Sequence, residues 1–256
     1  MFTGIVSGIG TLQERDGARF VIACPFRRGS LEEGFHVVVL PDQDARSILN
    51  GHQPHDRPTR PGPWGPVPAE YQGGIGREGV EALKSFVADG GTLVAFDQAT
   101  ELVLTEFGHA LSHVRDLTTG VDRRRFFCPG SVVGISVDTT HPAAWGMQAE
   151  TAAFFQNSRS FSTDRPGIRS VVRYAGPGRV LLSGWLLGEP YLAGQHAVLE
   201  VPYGAGRVVL FGFRPQFRAQ PHATFKLLFN LLLPVTAETD SMETVRASGR
   251  STAEIR

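Results

Sequence analysis

Cysteine is scarce in this chain: Cys24 and Cys128 are the only two among 256 residues. Two cannot build a disulfide framework, and neither belongs to a paired-cysteine zinc motif. An excess of charge of one sign is missing as well. Basic and acidic residues balance at 25 each, so electrostatics give no reason to expect nucleic acid or an anionic membrane as a partner. No apolar run approaches the roughly 20 residues of a membrane helix. The opening MFTGIVSGIGTLQERDG lacks the basic and apolar regions of a signal peptide, so the expected location is cytoplasmic. What remains is ordinary globular chemistry. A hydrophobic share of 41% and a charged share of 20% suit one large domain, or one domain with additions, burying a full core.

Apolar and polar residues alternate around glycines over residues 1–28, which predicts a β-hairpin. Residues 36–40 in FHVVVLPD form a short apolar run stopped by Pro41, the pattern of a strand buried on both faces. Proline and glycine crowd residues 51–70, so a long surface loop is expected there. Val80, Leu83, Phe86 and Val87 then fall at helical spacing, Gly90 and Gly91 end that helix, and residues 92–96 read as another buried strand. A second helix follows at once, beginning near Thr100. From Ser131 to Glu200 shorter strands separated by Gly/Pro turns predict an antiparallel portion. Residues 207–213 form a further buried strand leading through a polar elbow into an apolar helix. Phe211, Phe213, Phe225, Leu228 and Phe229 are expected to face the core. The last residues, 235–256, are polar and expected to form a loose tail.

Chemistry is sparse along this framework. The strand–turn–helix over residues 92–107 has the layout of a nucleophile elbow, yet its turn reads Phe96-Asp97-Gln98-Ala99-Thr100, with no Cys or Ser to attack an acyl group. Asp97 is read as binding or positioning something, or, with Thr100, as capping the helix. Cys128, in RRRFFCPGS, has three arginines nearby that would favour a thiolate and two phenylalanines that would oppose it. Arg123, Arg124 and Arg125 themselves read as a solvated turn. His109 and His113 sit at i, i+4 without the glutamate of an HExxH motif, and His52 and His55 lie in the proline-rich loop without a third ligand. No metal site is assigned from them, and no cofactor is expected. Gly73-Gly74-Ile75-Gly76 matches no phosphate-binding pattern and reads as a turn into the helix. The polar elbow holds Arg214, Gln216, Arg218, Gln220 and His222 at the carboxyl edge of a strand, where open α/β sheets place ligand sites. Arg214, Gln216 and Arg218 are the candidate ligand-binding residues, the arginines being suited to a carboxylate.

Six segments carry a resemblance: FHVVVLPDQDARSILNGH, PAEYQGGIGREGVEALKSFVADGGTLVAFDQATE, FFCPGS, VDTTHPAAWGM, LLSGWLLGEPYLAG and GRVVLFGFRPQFRAQPHATFKLLFNLLL. Together, over about residues 31–234, they resemble the C-terminal region of large bacterial zinc carboxypeptidases. That region is similar to a class I glutamine amidotransferase-like domain appended to the peptidase. The resemblance implies a flavodoxin-like α/β fold, a largely parallel sheet with flanking helices and some antiparallel strands. The peptidase half is absent: no His is followed by Glu at HxxE spacing, and His196-Ala-Val-Leu-Glu200 is one residue too long. The first 26 residues, in MFTGIVSGIGTL and GARFVIACPF, are similar to the opening hairpin of riboflavin synthase. The joint near Arg27–Ser30 reads as a fusion, a rearrangement or an assembly artefact, the start of one gene meeting the tail of another. It leaves the α/β domain without its expected first strand and helix, with residues 20–24 as a possible substitute strand.

These readings predict three parts: a hairpin fragment over 1–30, an α/β domain over 31–234 and the tail. The leading expectation is a non-catalytic accessory domain derived from an exported zinc carboxypeptidase. Its partner would be a peptidase domain, or it would hold a peptide or glycan. The alternative is an amidohydrolase-like enzyme using Asp97, Cys128 and His222; a third reading is a relic with no independent role. If those three side chains meet within hydrogen-bond reach, the enzyme reading gains.

Overall fold

The computed structural model describes residues 11–16, 19–23, 36–51 and 73–232. It divides into two units, residues 1–35 and residues 36–256. In the first, β1 (Thr11–Asp16) and β2 (Arg19–Ala23) pair antiparallel, with Asp16 opposite Arg19 and a register shift between Leu12 and Glu14. The hairpin expected from the alternating pattern is therefore present in the backbone over these strands. Cys24, the joint near Arg27–Ser30, the proline-rich loop with His52 and His55, and the tail over 235–256 lie outside the described residues.

The second unit is built on a ten-stranded mixed sheet. Its first elements are β3 (Val37–Leu40), α1 (Ala45–Asn50), α2 (Gly76–Ala88), β4 (Thr92–Phe96) and α3 (Ala99–Glu106). The amphipathic α2 buries Val80, Leu83 and Val87. It stops where Gly90 takes a φ of 116° and the Gly91 N–H donates to the Phe86 carbonyl at 2.9 Å, a left-handed exit that glycine adopts without a Cβ penalty. All five residues of β4 are buried. Leu93 and Ala95 pack with α2 and α3 on one face, while Val94 and Phe96 join the core on the other, the period-two alternation of a central strand.

The remaining strands are β5 (Arg115–Asp116), β6 (Ser131–Val137), β7 (Glu150–Phe155), β8 (Phe161–Ser162), β9 (Arg169–Tyr174), β10 (Leu181–Ser183), β11 (His196–Tyr203) and β12 (Gly206–Phe211). A further helix, α4, covers residues 225–232 among the described residues. The main path runs β10-β6-β9-β11-β12-β4-β3, with β7 beside β6 and β5–β8 attached to β11. The chain is thus α/β, with parallel strands, flanking helices and antiparallel strands in one sheet. The parallel part comprises β3, β4 and β12. The other pairings are antiparallel; between β11 and β12, Tyr203 faces Gly206 across a two-residue turn, too little chain for a crossover.

One part of the core differs from the expectation. Phe211 and Phe213 are fully buried, but Phe229 is 53% exposed. α4 turns Leu227 and Leu231 inward instead. Lys226 and Asn230 share the polar face of that helix, and Phe229 falls at the margin of its broad apolar arc, beside them.

Candidate functional site

Three adjacent parallel strands each end in a charged residue. Asp42 follows β3, Asp97 follows β4 and Arg214 follows β12. Arg214 lies between the two acids, with Nη1 3.0 Å from Asp42 Oδ2 and Nε 3.4 Å from Asp97 Oδ2. Its Nη2 donates to the main-chain and side-chain oxygens of Gln156 at 3.0 and 3.2 Å, and its guanidinium lies 4.5 Å from the centre of the Phe217 ring. The position is the carboxyl edge of the parallel strands, where α/β sheets hold ligands.

Asp97 is the strained member of this group. Its φ is 49°, uncommon for a residue with a Cβ and frequent at functional turns. Its N–H donates to the Phe211 carbonyl at 2.8 Å, and its own carbonyl accepts from the Thr100 amide and from Thr100 Oγ1 at 2.6 Å. The N-cap of α3 is Gln98 and no side chain caps the helix, so the Asp97 carboxylate is left for other partners. Oδ2 accepts from Ser158 Oγ at 2.6 Å, while Oδ1 is buried without a hydrogen bond. Burial pushes this carboxyl from 3.8 up to about 7; nearby Asp42 adds to the rise, whereas Ser158, Arg214 and Arg159 oppose it.

A loop between β7 and β8 closes the site from the antiparallel side. Asn157, with a φ of 49°, donates its N–H to the Cys128 carbonyl, and Arg159 donates its N–H to the Gly212 carbonyl. A Cβ on Gly212 would stand 2.4 Å from the Arg159 carbonyl oxygen, so this close approach requires glycine. The Arg159 carbonyl also accepts from the buried Tyr174 hydroxyl at 2.6 Å. The Arg159 guanidinium stands 3.5 Å from Asp116 and 3.9 Å from Glu101. Asp116 in turn accepts from the amides of Thr118 and Thr119 and from both hydroxyls, which shapes the loop after β5.

These elements surround a cavity of about 470 Å³. Its walls carry the amides of Gln98, Gln156 and Asn157, the hydroxyls of Thr118 and Thr119, and the guanidinium groups of Arg123, Arg159 and Arg214. Phe126, Phe127 and Cys128 form the apolar side. Such a set of paired donors and acceptors fits a neutral or weakly charged polar ligand. The acids that touch Arg214 and Arg159 offset most of their positive charge.

The sequence candidates divide between the cavity and the surface. Arg214 and Cys128 line the cavity, and Asp97 lies directly behind it against Ser158 and Arg214. Burial pushes the Cys128 thiol up, with a smaller opposing effect from Ser131. Gln216 and Arg218 are exposed, Arg218 standing 5.3 Å from the Phe217 ring on the side chain's way to solvent. His222 is exposed in a short 3-10 turn beside Phe225 and does not line the cavity. His109 and His113 bring their rings to 5.7 Å on the surface after α3, and among the described residues no three His, Cys, Asp or Glu side chains cluster to hold a metal ion. Sequence reading missed Asp42, Gln98, Gln156, Ser158 and Arg159. Asp42 had a usable signal, its place just after a buried parallel strand.

No protein-family model matches the chain, those of zinc carboxypeptidases and riboflavin synthase included, and no curated protein matches it. Similar solved structures include a cytoplasmic protein from Salmonella typhimurium, 15% identical over 77% of this chain and 70% of that one, with a TM-score of 0.42. A β-galactosidase from Bacillus circulans sp. alkalophilus is 13% identical over 80% of this chain, which spans 22% of that enzyme, with a TM-score of 0.41. A protein from Bacteroides uniformis described as ThuA-like is 16% identical over 60% of this chain and 62% of its own, with a TM-score of 0.34.

Proposed function

We propose that this chain is a non-catalytic binding domain, of the kind appended to zinc carboxypeptidases, that holds a polar ligand in the cavity beside Arg214. The observation that carries this reading is the occupant of the turn after β4. There an amidotransferase-type elbow would present a nucleophile. Asp97 instead is buried, hydrogen-bonded to Ser158 and set against Arg214, so the residue at the elbow ties the cavity wall together. The alternative enzyme built from Asp97, Cys128 and His222 draws less support. Its histidine sits on an exposed turn beside Phe225, and a buried thiol with a raised pKa is a poor nucleophile at neutral pH.

Two measurements on the purified chain test this reading together. Glutamine, peptide amides and simple esters are expected to be hydrolysed no faster than in buffer. Peptides and short glycans, screened by thermal unfolding, are expected to include ligands that raise Tm, because binding to the native state alone adds stability. Turnover that disappears in Asp97→Asn or Cys128→Ala would overturn the non-catalytic reading.

A further inference from the structure

An apolar strip runs outward from the cavity, braced by the cavity's own wall. Phe127 and Leu187 exchange two main-chain hydrogen bonds, of 3.0 and 2.9 Å, in a single antiparallel bridge. Ser131 Oγ accepts from the Trp185 amide at 2.9 Å and donates to the Trp185 carbonyl at 2.7 Å. Residues directly opposite in such a pair carry their side chains on one side, so Leu187 stands alongside Phe127, which lines the cavity. Leu186 packs inward against the core, while its neighbours Trp185 and Leu187 are 64% and 43% exposed. Leu182, just upstream, is 57% exposed. Trp185 and Leu187, exposed apolar side chains two residues apart on a braced backbone, mark a contact surface.

We propose that the cavity and this strip together take one extended peptide, with its polar groups in the cavity and apolar side chains on Trp185 and Leu187. This rests on the reading of the cavity as a binding site. The amides of Gln98, Gln156 and Asn157 offer both donors and acceptors, matching the N–H and C=O of a peptide bond. Arg123, exposed and lining the cavity, offers N–H donors to a carbonyl oxygen. Along an extended chain alternate side chains share a face, which suits the spacing of Trp185 and Leu187. A glycan would find a ring face in Trp185 but no partner chemistry in Leu187.

The test probes the labelled full chain against an array of random-sequence peptides and a glycan array, followed by fluorescence titration of the best binders. Binding to peptides that carry an apolar residue beside a polar one is expected. Trp185→Ala and Arg123→Gln, both at exposed positions, are each expected to weaken it about ten-fold with unchanged circular dichroism and Tm. Peptide binding untouched by Trp185→Ala overturns the part given to the strip. Glycan binding without peptide binding overturns the peptide and leaves the binding-domain reading standing. Binding to neither array overturns both.

Discussion

Ser158 Oγ donates a 2.6 Å hydrogen bond to Asp97 Oδ2, joining positions 61 residues apart in the chain. The bond crosses from the antiparallel side of the sheet to the end of its parallel part. A buried carboxylate is costly unless it is paired and hydrogen-bonded, and Asp97 has Ser158 and Arg214 for this purpose. Even so, its Oδ1 is left without a partner. The consequence is a group that prefers to hold a proton.

Asp97→Asn tests that preference. In the folded chain the carboxyl is raised from 3.8 to about 7, chiefly by burial. A folded pKa above the unfolded one means that the native state binds more protons between these values. The contribution of Asp97 is then fully favourable below 3.8 and is lost as pH rises to about 7. A shift of about three units corresponds to roughly 4 kcal/mol once Asp97 is ionised. Asparagine keeps an acceptor for Ser158, tolerates positive φ and never charges. Asp97→Asn is expected to raise Tm relative to the wild type at pH 8, with the gain shrinking toward pH 5. An equal difference at both pH values would sink the assignment.

Removing Arg214 has the opposite sign. Arg214→Met leaves Asp42 and Asp97 facing each other at the strand ends without their shared cation. Breaking one side of a buried ion pair costs about 3–5 kcal/mol, and a loss of that order is expected in urea unfolding at pH 8. The loss is expected to be smaller in an Asp97→Asn background, where one stranded charge is gone. A double-mutant cycle that closes to zero coupling contradicts the contact between Asp97 and Arg214.

Much of this architecture was legible in the sequence, for identifiable reasons. Residues 93–96 are apolar throughout, a short run after Gly90 and Gly91 that fits a strand buried on both faces; the polar turn after them marked Asp97. The same logic marked Arg214 after the apolar run of β12. Gln216, Arg218 and His222 share the elbow but stand exposed, away from the cavity. Arg218 and Ala219 take φ values of 47° and 53°, and these turn the chain outward. No local pattern announces such a reversal when neither residue is glycine. Ser158, Arg159 and Gln156 were illegible for another reason. They reach the site from a loop between antiparallel strands, and no periodicity reports that register.

His196 predicts an acid-side loss. It is buried, its Nδ1 lies 2.8 Å from Ser170 Oγ, and burial, with a further contribution from Arg173, lowers its pKa from 6.5 to about 4. The unfolded chain therefore binds more protons between pH 4 and 6.5, and stability falls as pH drops through that window. His196→Gln, which retains a polar partner for Ser170, removes this contribution, so the wild type is expected to lose Tm relative to the variant as pH drops from 6.5 to 4, on top of the opposite trend from Asp97. An unchanged slope would place the titration elsewhere.

Cys128 offers the most direct chemical check on the cavity wall. Its side chain is almost wholly buried although it borders the cavity, and burial pushes the thiol up. Alkylation proceeds through the thiolate, so burial and the raised pKa slow it together. In a Cys24→Ser background, iodoacetamide is expected to label the native chain far more slowly than the urea-unfolded one, without the acceleration near neutral pH of an activated thiol. Labelling of the native chain at the rate of a free thiol would mean that the wall opens and exposes Cys128. The amidohydrolase alternative would then regain its nucleophile. Slow labelling that a bound peptide slows further would connect the thiol to ligand occupancy, since Cys128 and Arg214 line the same cavity.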